Sequence, residues 1–213
     1  MTIRRSLAFS FVEKYASTAI NITSALVLAR LLTPAEIGVF SVGAAVVGFM
    51  HTLREFGVTH YMIQEREVDQ TKIRTAFTMT LALSWLFAAI LFAISSLAAN
   101  FYQEPGVEQV VWVMALNFLL IPFGSPILAL LRREMQFGRL SAIQLASNVM
   151  NAGVAITLAL SGHGFMSLAW ASLATVVTTS LLALSSRPRA FLLRPSLKEW
   201  RSIAGFGAYA SIN

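Results

Sequence analysis

LSAIQLASNVMNAGVAITLALSGHGFMSLAWASLATVVTTSLLALSS, residues 140–186, runs for 47 positions without an Asp, Glu, Lys or Arg. A helix needs about 20 apolar residues to cross the hydrocarbon layer of a bilayer at 1.5 Å per residue. This stretch holds twice that, and at its middle stands Gly162-His163-Gly164, a turn signal. It reads as two spans set back to back. Outward from it the pattern repeats: residues 109–131 give 23 charge-free positions and residues 75–103 give 29. Composition agrees, with 56% hydrophobic and 12% charged residues, where a soluble domain has roughly 45–50% and about 25%. The excess apolar surface has the bilayer as its solvent.

The expected spans are Leu7–Leu31, Ile37–Gln64, Ala76–Asn100, Val107–Leu131, Leu140–Ser161 and Phe165–Ser185, with a seventh beginning near Trp200 and running to Asn213. The fold class is an all-α membrane protein, a lobe of six transmembrane helices plus the start of a seventh. Thr2-Ile3-Arg4-Arg5 imitates the basic start of a signal peptide. However, Glu13-Lys14 breaks the apolar run and no small-x-small cleavage pattern follows, so the first helix is read as uncleaved.

The connections have their own chemistry. Thr33-Pro34-Ala35-Glu36 is a capping box with Pro at the first helical position, where its missing N–H costs nothing. Ser196-Leu197-Lys198-Glu199 repeats it before the seventh helix. Pro105-Gly106 and Gly162-His163-Gly164 are read as the other tight turns. Pro122 and Pro126 lie inside the fourth span, which predicts a kink or local unwinding there.

Lys and Arg in short loops set orientation. Placing the N-terminus in the cytoplasm puts 13 of the 16 basic residues on that side: Arg4 and Arg5; Arg66, Lys72 and Arg74; Arg132, Arg133 and Arg139; Arg187, Arg189, Arg194, Lys198 and Arg201. The net charge of +6 is therefore a topology signal, and no nucleic-acid partner is implied. With no cysteine in the chain, the redox compartment is not legible.

Charged and amide side chains inside a span cost about 2.5–3.5 kcal/mol each for ionisable groups on insertion scales, and so mark cavities or helix contacts. His51, Arg54 and Glu55 fall at i, i+3 and i+4 on one face of the second span. Arg54 there either lines a cavity, or is compensated by Glu55, or snorkels to the headgroups. Glu13, Ser17, Asn21 and Ser24 form a polar stripe on the first span, with Lys14 beside it. Glu13 is either a proton- or cation-coupling carboxylate or an interfacial group paired with Lys14 or a loop arginine. Gln144, Ser147, Asn148 and Asn151 make a polar face on the fifth span, which interhelical hydrogen bonding alone explains. No P-loop, no GxGxxG, no Cys/His metal spacing and no Ser-His-Asp arrangement is present. The chain is therefore not read as an enzyme, and neither cofactor nor metal is expected.

Ala29-Arg30-Leu31-Leu32-Thr33-Pro34-Ala35-Glu36-Ile37-Gly38 resembles the first loop of the oligosaccharide flippases, within the multidrug/oligosaccharidyl-lipid/polysaccharide exporter superfamily. Arg54-Glu55-Phe56-Gly57-Val58, Arg132-Arg133-Glu134-Met135-Gln136-Phe137 and Gly162-His163-Gly164 before Ser167-Leu168 are similar to further stretches of that family. The resemblance reaches only the family's N-terminal half. It implies two six-helix lobes around a hydrated, often cationic cavity that work by alternating access. It also implies a lipid-linked oligosaccharide of the polyprenyl pyrophosphate type as substrate, with Arg54 attracting its pyrophosphate or acidic sugars. The location implied is the bacterial inner (plasma) membrane, with membrane lipids, a C-terminal lobe and polysaccharide polymerase machinery as partners.

A faint internal repeat fits the same picture. Arg5-Ser6-Leu7-Ala8 with Tyr15-Ala16-Ser17 resembles Arg201-Ser202-Ile203-Ala204 with Tyr209-Ala210-Ser211, as a parallel repeat would after six spans. The organisation expected is a lobe over residues 1–186, a basic cytoplasmic loop over 187–199 and the start of a second lobe over 200–213. The other readings are a drug or small-metabolite exporter of the same superfamily and a membrane module that transports nothing.

Overall fold

The computed structural model describes residues 3–55 and 70–186, and every regular element among them is a helix: α1 (Ile3–Leu31), α2 (Pro34–Glu55), α3 (Gln70–Tyr102), α4 (Pro105–Arg133), α5 (Phe137–Leu160) and α6 (Met166–Ser185). The end of the second expected span through His60 to Gln64, the loop 187–199 and the seventh helix over 200–213 lie outside the described residues. Helices α2 to α6 are long and apolar enough to cross a membrane, so the chain is a multi-pass membrane protein. Helix α1 has the length, at 29 residues, but its charged pair and its Ser, Thr and Asn residues leave it less apolar than the other five. The third helix starts six residues before the expected Ala76, because polar Gln70–Thr75 continues the same hydrogen-bond ladder.

At the end where α1 meets α2, the capping box forms. The Glu36 carboxylate accepts from the Thr33 amide (2.7 Å) and hydroxyl (2.8 Å), and the Glu36 amide donates to Thr33 Oγ1 (3.3 Å). Orphan N–H groups at the start of α2 are satisfied in this way. The next corner differs from expectation. Pro105 opens α4 and Gly106 lies within it, while the turn is made by Gln103 and Glu104. Gln103 takes φ 55° and the Glu104 amide reaches back to the Ala99 carbonyl at 3.0 Å, the 6→1 bond of a Schellman cap. Met135 (φ 52°) closes α4 the same way, through Gln136 to Leu131. Gly162 (φ 80°) closes α5 through His163 to Leu158.

Gly164, at φ +52°, faces the Glu36 carboxylate where a β-carbon would sit. Gly164→Ala therefore both strains the left-handed backbone and displaces the group that caps α2. The backbone strain is worth about 1 kcal/mol, and loosening of the cap adds to it. Thermal unfolding in detergent is expected to fall by the sum, and Glu36→Gln in the same background is expected to add little further loss.

The core is organised around α4, which packs against α2, α3 and α6 and touches α5. Val47, Ala88, Leu91, Val111, Ala115 and Phe118 interdigitate between α2, α3 and α4. Ala76, Ile127, Leu131, Ile143 and Ala183 close the end that carries Arg54 and Arg132, called here the basic end. Between helices in lipid the attraction is mostly close packing, and small residues set it. A β-carbon on Gly43 would stand 2.6 Å from the Val110 side chain, and one on Gly124 would stand 3.2 Å from the Ser180 backbone. Gly124 lies between Pro122 and Pro126, yet α4 is one helix through both, so the unwinding that these prolines permit does not occur. Ser180 Oγ donates to the Leu120 carbonyl there at 3.3 Å.

Helix α1 behaves differently. It packs along α5, and its far end joins α6 through Leu28, Leu32, Ala155 and Ala171. Helices α1 and α2 diverge from their shared corner instead of pairing as a hairpin.

Candidate functional site

Two small polar cavities open at the basic end, and both are built by residues repeating along helix faces. From α4, Ile121, Gly124, Ser125, Leu128 and Arg132 follow the helical period onto one side. With His51 and Arg54 of α2 and Val176, Thr179 and Ser180 of α6, they enclose a cavity of about 210 Å³. The missing side chain of Gly124 leaves part of this room. Arg54 is only 8% exposed, an environment that a guanidinium occupies only with polar or charged company. One Nη2 of Arg54 lies 3.4 Å from His51 Nε2. Arginine has no acceptor atom, so the guanidinium can only donate in this contact. The His51 and Phe118 rings meet in a T-shaped contact, with centroids 6.1 Å apart.

A second cavity of about 220 Å³ adjoins the first and shares Leu128, Arg132 and Thr179 with it; Glu13 of α1 and Phe137, Leu140, Ser141, Ile143 and Gln144 of α5 complete its lining. A chain of hydrogen bonds runs from it across the α1–α5 contact. Gln144 Nε2 donates to Asn148 Oδ1 (3.3 Å), Asn148 Nδ2 to Ser17 Oγ (2.8 Å), and Ser17 Oγ to Glu13 Oε1 (2.9 Å). Beside it, Ser147 and Thr179 hydroxyls meet at 2.7 Å and Asn151 Nδ2 donates to Thr175 Oγ1 at 2.9 Å, joining α5 to α6. Further along, Asn117 Nδ2 donates to Ser172 Oγ at 2.9 Å, linking α4 to α6.

Two larger grooves, of about 890 and 760 Å³, lie along α5 and α6. They are lined almost wholly by apolar residues such as Leu145, Val149, Val154, Leu173 and Val177. Such a surface suits acyl chains or an apolar helix face, and it gathers few polar groups. Charged and polar side chains converge at the smaller pair.

Residues 27–213 match the family model described as polysaccharide biosynthesis protein. The chain belongs to that family. Among curated relatives, it is 26% identical over 184 residues to the succinoglycan biosynthesis transport protein of Rhizobium meliloti (strain 1021), a match covering 86% of this chain and 36% of the relative. It is 24% identical over 121 residues to a lipopolysaccharide biosynthesis protein of Escherichia coli (strain K12), covering 57% and 25%. It is 26% identical over 136 residues to a teichuronic acid biosynthesis protein of Bacillus subtilis (strain 168), covering 64% and 28%. The chain thus spans about a quarter to a third of the length of these polysaccharide biosynthesis relatives. No solved structure matches it.

The two cavities take up some of the residues singled out from the sequence and leave others aside. His51 and Arg54 line the first, and Glu13 lines the second. Asn148 and Asn151 hydrogen-bond across helix contacts, and Asn148 also continues to Glu13 through Ser17. Lys14 and Asn21 are exposed on α1 and line neither cavity. Glu55 closes α2, and its side chain lies outside the described residues. Arg132 is the residue that sequence reasoning did not select. In the sequence it is a loop arginine marking topology, whereas α4 extends through Arg133 and carries Arg132 onto the walls of both cavities. The signal available was its spacing from Gly124, Ser125 and Leu128.

Asn148→Ala removes the α1–α5 hydrogen bond without touching either cavity wall. Interhelical bonds of this kind contribute about 0.6–1.7 kcal/mol. A loss of that size is expected in unfolding experiments, with Asn148→Ser recovering part of it.

Proposed function

We propose that this chain forms one lobe of a flippase that moves lipid-linked oligosaccharide units across the bacterial inner membrane for surface polysaccharide synthesis. The carrying observation is the nearly buried Arg54, set with His51 on a polar cavity at the basic end of a polysaccharide-biosynthesis lobe. A guanidinium held in low dielectric suits phosphate and acidic sugars through charge-assisted, forked hydrogen bonds. The distribution of basic residues supports a cytoplasmic position for this end, where a polyprenyl pyrophosphate-linked unit would enter. The complementary lobe completes the pathway, and rocking between the two lobes exposes the cavity alternately to each side. Polysaccharide polymerase machinery is the natural acceptor on the far side.

Deletion of the gene and complementation with the full-length protein tests this reading. Loss of surface polysaccharide, with lipid-linked repeat units accumulating on the cytoplasmic face, is the expected outcome. Unchanged polysaccharide together with altered drug tolerance would replace it with the small-molecule exporter reading. No change in either would point to a module that transports nothing.

A further inference from the structure

Arg132 stands where two claims on one guanidinium meet. On one side it shares the first cavity with Arg54 and His51; on the other it shares the second with Glu13. The Glu13 carboxylate accepts from Ser17, and among the described residues no ion pair joins it to Arg132. Arg132 is exposed and lines both cavities, and a long unbranched side chain of this kind has several staggered rotamers open to it. Arg54 differs, being buried and in contact with His51. The arrangement is one fixed cation, one movable cation and one carboxylate on the movable cation's other side.

We infer that Arg132 is a second anion-binding residue of the cavity, and that Glu13 competes with the phosphate of the ligand for it. With no anion present, the Glu13 carboxylate attracts the exposed Arg132 guanidinium across the second cavity, short of an ion pair. A phosphate or diphosphate group entering beside Arg54 draws it the other way and completes a two-guanidinium seat. The carboxylate then remains on Ser17, at the end of the hydrogen-bond chain that ties α1 to α5. Ligand arrival is thereby reported to the α1–α5 pair by the departure of one side chain. This rests on the reading of the first cavity as an anion site.

The test is binding of inorganic pyrophosphate to the purified full-length protein, measured by calorimetry. Arg132→Gln is expected to weaken binding by about tenfold or more, the size of a lost charge-assisted bond. Glu13→Gln, whose amide oxygen can still accept from Ser17, is expected to tighten it by about threefold or more, since charge competition is removed. In the double variant the tightening should vanish, because Glu13 acts through Arg132. Arg132 also lies in the last turn of α4, where a cation favours the C-terminal carbonyls. A purely structural role would lower the melting temperature of every Arg132 variant and leave Glu13→Gln without effect on affinity, which overturns the inference. Tightening by Glu13→Gln that persists without Arg132 overturns it as well. If Arg54→Gln weakens binding while the other two variants do not, this inference fails and the anion site stands. If Arg54→Gln has no effect, the anion site fails with it. Repeating the series with farnesyl pyrophosphate identifies the source of the phosphate: tighter binding of the prenylated form assigns a lipid-borne diphosphate, and equal binding a free one, with the same order of variants in either case.

Discussion

Arg54→Glu in the full-length protein is expected to reduce surface polysaccharide export to background, and Arg54→Ala to lower it by roughly tenfold or more. The estimate follows from a hydrogen bond to a charged group contributing about 1.5–3 kcal/mol, which is about ten- to a hundredfold in binding. Charge reversal adds repulsion of the anion within the same cavity. Burial sharpens the effect, since Arg54 is 8% exposed and water cannot replace the lost donor freely. Arg54→Lys keeps the charge but loses the planar fork and the reach to His51, so an intermediate export level is expected. Export is read as surface polysaccharide per cell, normalised to the amount of protein in the membrane fraction. Normal export by Arg54→Glu at normal protein levels would remove Arg54 from the pathway.

The second large effect is steric. Gly43→Ala is expected to cost about 1–3 kcal/mol of stability, because its β-carbon would meet Val110 at 2.6 Å and 2.9 Å, both contacts being with the side chain near its root. A branched valine attached to a helix has little room to turn away. Gly43→Leu should exceed this and force α2 off α4. Val110→Ala opens space on the opposing surface, so the double variant Gly43→Ala, Val110→Ala is expected to be more stable than the sum of the single effects predicts. Unfolding of each protein in one detergent, followed by intrinsic tryptophan fluorescence, measures the coupling. Strict additivity would mean that α2 has moved to another packing, and the close approach would lose its structural role.

What could be read from the sequence follows the range of each interaction. Charge-free runs located the helices because exclusion of charge from lipid acts on each segment separately. The Thr33–Glu36 box was legible for the same reason, as all its atoms lie within four residues. His51 and Arg54 were visible as a pair because one helical turn places them on one face. The partners of the fifth-span amides were not visible: Asn148 finds Ser17 and Asn151 finds Thr175, and nothing local specifies which helix lies opposite. Arg132 was hidden by its own usefulness. As a basic residue near a helix end it satisfies the topology rule completely, and only the extension of α4 through Arg133 shows that it also faces inward. The turn at Gln103 was missed because glycine and proline usually mark corners. Here a glutamine takes the left-handed position, and the Pro-Gly pair belongs to the following helix.

The divergence of α1 from α2 has a mechanical consequence. The two helices share a corner clamped by the Thr33–Glu36 box and seated on Gly164, yet each is packed on a different neighbour. Their geometry is that of a pair of compasses, joined at the far end and open toward the cavities. A leg of about 20 residues is about 30 Å long, so a tilt of roughly 10° at the pivot displaces its other end by about 5 Å. That displacement is comparable to one turn of helix, and it widens the gap between Glu13 and Arg54 without unfastening the corner. A small change of angle at the corner would therefore be a large change of distance at the cavities.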